Sequence, residues 1–353
     1  MKVDVAVGGP ELRQISVLAR LAEDIGFDCL YTAESCHDPF PPLARAAEHT
    51  TRIGLGTSIA VALARSPMTL AHLANDLQEY SRGRFTLGLG AQTRAHPGRQ
   101  YRTSFQPPVA RMRELIGEIR GIWRSWQDQS HTDQPRQDQP RQGQAIQSWR
   151  RRNQPLFALP AHPFGPPRIH LAGVGPRMTQ LAGELADGLI LHGFTTARHL
   201  RETTVPALER GLRHSGRSWD DIEVVAPAFL ITGATSEAYE RSERQTRTAI
   251  ALYGANPAYR RVLESAGRPG LQDELALLAR HGRWQQMPGL IDDDLLDEVA
   301  VRGEPVRIPE LLVRRYGALC RRVTLMGPFH QDPGTWAALV ARIHEITCEP
   351  VPS

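Results

Sequence analysis

Lysine is almost missing from this chain: Lys2 is the only one among 42 basic residues, so arginine carries nearly all the positive charge. No apolar run approaches the roughly 18 residues that a membrane helix needs. The longest nearby stretch, Ile59-Ala60-Val61-Ala62-Leu63-Ala64, is far too short, and no membrane contact is expected. The start, Met1-Lys2-Val3-Asp4, runs straight into a strand pattern and is no signal peptide, which predicts a cytoplasmic location. The four cysteines, Cys29, Cys36, Cys320 and Cys348, form no CxxC. They fit neither a disulfide framework nor a zinc site, and are expected as small buried or half-buried thiols. Thirteen dispersed histidines form no HxH or HExxH, so no metal site is predicted. A G-x-S-x-G elbow is also missing, which excludes the usual serine nucleophile.

Charge is nearly balanced, at a formal +4. Basic residues gather at Arg94, Arg99 and Arg102 and again at Arg150-Arg151-Arg152. No aromatic-basic motif accompanies them, so nucleic acid is not expected as a partner. Solvated surface or an anionic small ligand fits better.

What the sequence does have is alternation. Hydrophobic residues make up 41% of 353 positions, enough for one large α/β barrel or two ordinary domains. Short apolar runs alternate with amphipathic stretches, as in repeated βα units. The predicted strands are Val3–Gly8, Cys29–Ala33, Ile53–Ala60, Phe85–Ala91, Ile169–Gly173, Leu189–Gly193, Val224–Thr232 and Val323–Met326. The predicted helices between and after them are Glu11–Ile25, Pro41–Thr50, Pro67–Tyr80, Pro108–Trp126, Pro176–Ala186, Ala197–His214 and Thr335–Ile346. Pro227 counts against a clean central seventh strand. Eight such units suggest a (β/α)8 barrel, although a doubly wound open sheet would alternate in the same way.

Two stretches interrupt the pattern. Residues 128–167 hold DQPRQ at 133–137, repeated letter for letter at 138–142, and read as an irregular, partly disordered surface insertion after helix 4. About 90 residues separate strands 7 and 8, more than one crossover helix needs. Helical patterns at Glu237–Tyr253, Leu271–Arg280 and Leu295–Val301 predict a helical excursion over 235–310, placed where barrels build lids. A small helical subdomain without a catalytic role would have the same pattern.

Barrel enzymes keep their chemistry at the C-terminal strand ends. After strand 2 stand Glu34-Ser35-Cys36-His37-Asp38, which offers two proton carriers, His37 and Glu34. Strand 4 ends Gly88-Leu89-Gly90-Ala91-Gln92. This is no dinucleotide fingerprint, because the third glycine would fall on Thr93. Strand 5 runs into Gly173-Val174-Gly175-Pro176-Arg177. Glycines at a strand-to-helix turn, with proline opening the helix, make an anion site or simply a tight turn.

Four stretches together resemble the luciferase-like monooxygenase superfamily, most of all its coenzyme F420-dependent oxidoreductase branch. They are Ala33–Phe40, Leu55–Ala60, Gly83–Gly90, and Leu171–Arg177 with Ala186-Asp187-Gly188. The resemblance implies a single TIM-barrel domain and a non-prolyl cis peptide, by position Ser58–Ile59, at the end of strand 3. Thr57, Ser58 and Ile59 would then back a deazaflavin ring. Gly90, Ala91 and Gln92 would line the same cleft, and Gly173–Arg177 would hold the cofactor phosphate. His37 or Glu34 would move the proton that accompanies hydride, although relatives often place acid and histidine side by side and here two residues intervene. The expected cofactor is F420, whose polyglutamate tail the basic loop Arg94–Arg102 could meet, and the expected partner is a small organic substrate, with a homodimer possible. An FMN-dependent monooxygenase on the same barrel, and a flavin- or deazaflavin-binding protein without turnover, are the alternatives.

Overall fold

The computed structural model describes residues 1–7, 13–35, 37–91, 107–130 and 162–348, with side chains left out of account at 128–130. The DQPRQ duplication, Arg150–Arg152, the Arg94–Arg102 loop, Gln92 and Cys36 lie outside the described residues. Among the described residues no helix is long and apolar enough to cross a membrane.

Eight parallel staves close into a TIM barrel, which settles the choice that periodicity left open. They are β1 (Lys2–Val7), β2 (Cys29–Thr32), β3 (Gly54–Thr57, resuming as Ala60–Val61), β4 (Phe85–Gly90), β5 (Arg168–Ala172), β6 (Gly188–Ile190), β7 (Glu223–Ala228) and β8 (Arg322–Met326). The wall helices are α1 (Ile15–Ile25), α2 (Phe40–His49), α3 (Pro67–Tyr80), α4 (Pro108–Ser130) and α5 (Pro176–Leu185). The sixth, α6, runs Ala197–His199, passes through a π turn at Leu200–Thr204 and continues as Val205–His214.

Strand period places one set of residues against the helices and the other inside the barrel. Val3, Val5, Leu30, Leu55, Leu87, Leu89, Ile169, Leu171, Leu189, Val323 and Leu325 belong to one buried cluster with the helix residues Ile15, Leu43, Leu70, Ile116 and Leu181. The other set is polar at the base of the barrel. Asp4 is fully buried and receives Arg322 Nε at 2.8 Å. Arg322 Nη1 lies 3.6 Å from Glu223, and His170 Nε2 lies 3.7 Å from the same carboxylate.

Local signals end the elements where the chemistry requires. Gly26 closes α1 at φ 96, a left-handed conformation suited to glycine. Ser66 opens α3 by accepting the Thr69 N–H at 3.1 Å. Arg84 bonds the carbonyls of Ser81, Ile53 and Thr50, and so ties β4 to the end of α2. Asp187 accepts the Ile169 N–H at 2.8 Å and pairs with Arg120 of α4 at 2.8 Å.

Pro227 also finds a reason. Val225 presents its carbonyl to the β6 side, where Leu191 N–H donates to it at 2.9 Å. Pro227 faces the same way two residues on, beyond the last β6 pair, Ile190 with Val225. Its missing N–H therefore costs no ladder bond.

The excursion after β7 is helical, as predicted, with α7 (Ser236–Gly254), α8 (Arg260–Ser265), α9 (Leu271–Arg280) and α10 (Asp293–Val299). It has its own buried cluster around Ile250, Leu263, Leu275, Met287 and Leu296, which also takes in Phe194 and Phe229 from the barrel mouth. Its neck is a short parallel pairing of Leu230–Ile231 with Val301–Arg302. The predicted bound at 310 cuts into α11 (Ile308–Tyr316), which packs against the closing helix α12 (Pro333–Cys348) in the barrel wall. The sequence reading missed α11 because it spans only nine residues and carries proline in its first turn. Cys29 and Cys320 are buried as expected, whereas Cys348 is exposed at the end of α12.

His170 gives the fold a pH dependence. Burial, with Arg168, Arg322 and Lys2 nearby, pushes its imidazole from 6.5 down to about 3. The unfolded chain therefore binds a proton that the folded one refuses. The stability from this residue is complete above about pH 6.5 and drains as pH falls towards 3. Melting temperature followed by circular dichroism should fall steadily from pH 7 to pH 4, and the slope should flatten in His170→Gln. An unchanged slope in that variant would remove His170 as the cause.

Candidate functional site at the barrel mouth

Stave 3 is broken where its C-terminal end meets the mouth. The Ser58–Ile59 peptide is cis, at the position the resemblance indicated. Backbone bonds stitch the break to the end of stave 2: Ser58 N–H donates to Thr32 O at 2.8 Å, and Glu34 N–H donates to Ile59 O at 3.0 Å. Thr57 is fully buried, and its hydroxyl donates to Gly88 O at 2.7 Å and accepts Gly88 N–H at 2.9 Å. Ser58 and Ile59 are half-buried.

Stave 4 passes close under this break because it carries glycine. A Cβ on Gly88 would stand 1.8 Å from the Thr57 carbonyl oxygen, which no side chain tolerates. A Cβ on Gly90 would stand 2.8 Å from Ile59 Cδ1. The Ile59 side chain is thereby laid across Gly90 as an apolar ledge, with Ala91 half-buried beyond it.

The turn after stave 5 differs in character. Gly173 N–H donates to Ile190 O at 3.2 Å, and a Cβ there would crowd Thr179 N at 3.1 Å, so this glycine serves packing. Gly175 is the N-cap of α5, with no side-chain cap bond, and Pro176 follows at the first helical position. Among the described residues, a Cβ on Gly175 would meet nothing within 4 Å. The space beside the N-cap of α5 is thus clear among the described residues, and a helix N-terminus stabilises an anion by about 0.3–1 kcal/mol. Val174 is half-buried, and Arg177 is exposed beside the turn. Buried His199 lies behind it, against the backbone of Val174 and Arg261, and burial holds its imidazole low.

The two proton-carrier candidates part company. The Glu34 carboxylate has a side-chain exposure of 5%, accepts Val61 N–H at 2.7 Å and pairs with Arg65 at 2.6 Å. Arg65 also holds Asp38 at 2.6 Å and lies over the Phe40 ring. Glu34 is thus a clamp between the loop after β2 and the segment after the break. His37 is exposed on that clamped loop.

The sequence reading missed one group at the mouth. His192, just past β6, sits 4.3 Å from the Tyr253 ring and 4.7 Å from the Tyr259 ring, both contributed by the excursion. Its Nδ1 accepts the Phe194 N–H at 3.0 Å. Burial pushes this imidazole down to about 4. The signal was available: strand period from Gly188 and Ile190 puts position 192 on the inward line.

Thr57, Ser58, Ile59, Gly90 and Ala91 thus share two adjacent staves, and Gly173–Arg177 follow the next one. The arrangement offers an apolar ledge and a glycine-capped helix N-terminus on one rim, with Glu34 and His37 at one side and His192 at another. Among the described residues no group of His, Cys, Asp and Glu could hold a metal ion.

Comparison with known proteins agrees with this architecture. The sequence profile described as luciferase-like monooxygenase matches residues 2–322. An uncharacterized protein of Mycobacterium tuberculosis is 40% identical over 323 residues, covering 92% of each chain. A second M. tuberculosis protein, provisionally named a coenzyme F420-dependent oxidoreductase, is 30% identical over 300 residues, covering 81% of this chain and 83% of the relative. The solved coenzyme F420-dependent tetrahydromethanopterin reductase from Methanopyrus kandleri superposes with a TM-score of 0.71 over 96% of this chain and 97% of that one, at 18% identity.

The two glycines at the mouth make opposite predictions. Gly175→Ala should leave the melting temperature within about 2 °C, because its Cβ meets open space and its φ of −87 suits alanine. It should nonetheless weaken binding of a phosphate-bearing ligand. Gly88→Ala should cost more than about 3 kcal/mol or abolish soluble protein, because backbone stands in the way. Thermal melts of both variants check this, and a stable Gly88→Ala would show that the staves can separate.

Proposed function

Because the chain belongs to the luciferase-like monooxygenase family, we propose that it is an oxidoreductase that holds coenzyme F420 across the mouth of its barrel and serves a small organic substrate. The observation that carries this reading is the open α5 N-terminus at Gly175, two staves along from the Ile59 ledge. A flat ring with a phosphate-bearing arm needs that pairing of apolar backing and anion subsite, so the residues present fit the group. When bound, F420 supplies a ring carbon that accepts or donates hydride.

The chain's own residues would divide the remaining work. Val174, Gly175, Pro176 and Arg177 would hold the phosphate, with Gly173 packing the turn beneath them. Ser58 and Ile59 would back the ring, with Thr57 anchoring the break and Gly90 and Ala91 lining the next stave. His37 would carry the proton that accompanies hydride. Glu34 would position the His37 loop through Arg65. The excursion would exclude water and select the substrate.

An FMN-dependent monooxygenase is the second reading, since the ledge and the anion turn suit either cofactor and the family description names monooxygenases. Titration of the purified chain with each cofactor separates the two. Binding of F420 in the micromolar range, with FMN much weaker, is expected, and micromolar FMN binding without F420 binding reverses the assignment.

Variants then separate the two residues after β2. A screen of alcohols, sugar phosphates, imines and activated alkenes would supply the turnover assay. His37→Ala should lower kcat about 100-fold with cofactor affinity nearly unchanged, as for loss of a general acid–base group. Glu34→Gln should instead lower the melting temperature, because a buried ion pair loses its charge partner. Equal loss of kcat and cofactor affinity in His37→Ala would sink the proton-carrier role.

A further inference from the structure

We propose that His192, Tyr253 and Tyr259 form an uncharged substrate pocket that takes a neutral, oxygen-bearing molecule through the His192 Nε2–H and rejects phosphorylated or carboxylated ones. The word substrate rests on the oxidoreductase reading above; the pocket itself rests on geometry.

Position comes first. A Cβ on Gly188 would stand 2.5 Å from the His170 ring, so Gly188 faces the barrel interior. Ile190 faces inward as well, since its Cδ1 would lie 3.1 Å from a Cβ on Gly88. The two-residue period sets His192 one step higher on the same line, over the mouth and above the Gly88 crossing. Its side chain is half-buried there.

Hydrogen bonding fixes the tautomer. Nδ1 accepts the Phe194 N–H at 3.0 Å, so a neutral ring must carry its hydrogen on Nε2. That N–H is a donor with no acceptor shown among the described residues. Burial keeps the ring neutral well below physiological pH, at about 4. His192 therefore binds and polarises an oxygen; it does not surrender a proton.

The walls carry no charge. Tyr253 crosses the imidazole at 74° and Tyr259 at 50°. Phe194 stands 5.5 Å from the Tyr259 ring, and Phe229 stands 6.3 Å from the Tyr253 ring. Burial is what lowers His192 and raises Tyr253, and burial with Tyr253 raises Tyr259. A carboxylate or phosphate entering here would lose its water without gaining a counter-charge. A ketone, aldehyde or alcohol would lose little and gain one hydrogen bond.

The test uses the full-length chain labelled with 15N-histidine, with and without saturating F420, and three probes of similar shape: acetophenone, benzoate and phenyl phosphate. The His192 signal is identified by its loss in His192→Asn. It should show the neutral, Nε2-protonated form at pH 7, shift with acetophenone and stay still with benzoate and phenyl phosphate. Acetophenone affinity should fall at least tenfold in His192→Phe and recover to within threefold of the parent in His192→Asn, whose amide restores a donor. A benzoate or phenyl phosphate shift as large as that of acetophenone overturns the proposal. So does a His192→Phe protein that binds acetophenone as well as the parent. Should a variant fail to fold, the shifts of the parent chain decide alone. F420 titration is a separate readout: a chain that binds acetophenone at His192 but no F420 refutes the oxidoreductase reading and keeps the pocket.

Discussion

The barrel closes through a charge buried at its base. Asp4 on the first stave and Arg322 on the last are 318 residues apart in sequence, and their side chains meet inside the barrel, with Asp4 fully buried. Burial pushes the Asp4 carboxyl up to about 6 against the pull of Arg322, and the same pairing holds Arg322 firmly protonated. Such a pair is poor evidence of net stability, since apolar replacements often do as well. Removing one partner alone, however, typically costs about 3–5 kcal/mol. Its value here is one of register. The bond fixes β1 against β8 as Lys2 opposite Arg322 and Asp4 opposite Thr324, and that ladder completes the ring. Every residue at the mouth depends on the ring being closed, because ledge, anion turn and histidine sit on different staves.

A second constraint acts within the ring. Staves 3 and 4 approach so closely at Gly88 that a methyl group has no place between them. The Thr57 hydroxyl completes this contact by bonding both the N–H and the carbonyl of Gly88. The same crowding sends Ile59 outward over Gly90 and makes the ledge. A weakly packing glycine strand thus becomes a close-approach strand once its neighbour is known. The glycine at 175 is the counter-example, since among the described residues nothing stands where its Cβ would be. Residue type alone could not have told these glycines apart, because their difference lies in what stands opposite.

Much of the fold was legible because the alternation of apolar runs reports the βα repeat directly. The choice of a closed barrel over an open sheet was not, since both have the same period. Several motif residues that pointed to the family serve the scaffold. Arg84 gathers carbonyls around the end of α2, and Asp187 fastens β5 to α4. Glu34 was read with His37 as one of two candidate proton carriers, and its ion pair with Arg65, 31 residues away, left no signal in sequence. His192 was overlooked for the opposite reason. It sits in a plain apolar strand end, and its importance arises only from two tyrosines more than sixty residues downstream. Contacts between distant segments are the part of a site that local pattern cannot encode.

These placements divide the mouth by electrostatics. Along one rim stands the N-terminal end of α5, whose helix dipole favours negative charge wherever water is partly excluded. Around His192 the walls are aromatic and the donor is neutral, which disfavours charge of either sign. A bound molecule that bridges both regions must therefore be anionic at one end and uncharged at the other. The excursion enforces this division by bringing Tyr253 and Tyr259 from a segment with its own buried core, so the neutral half of the mouth can vary while the barrel and the anion turn stay as they are. On the proposed function, specificity would reside in the inserted helices and cofactor binding in the staves, a separation that follows from which elements supply charge and which supply rings.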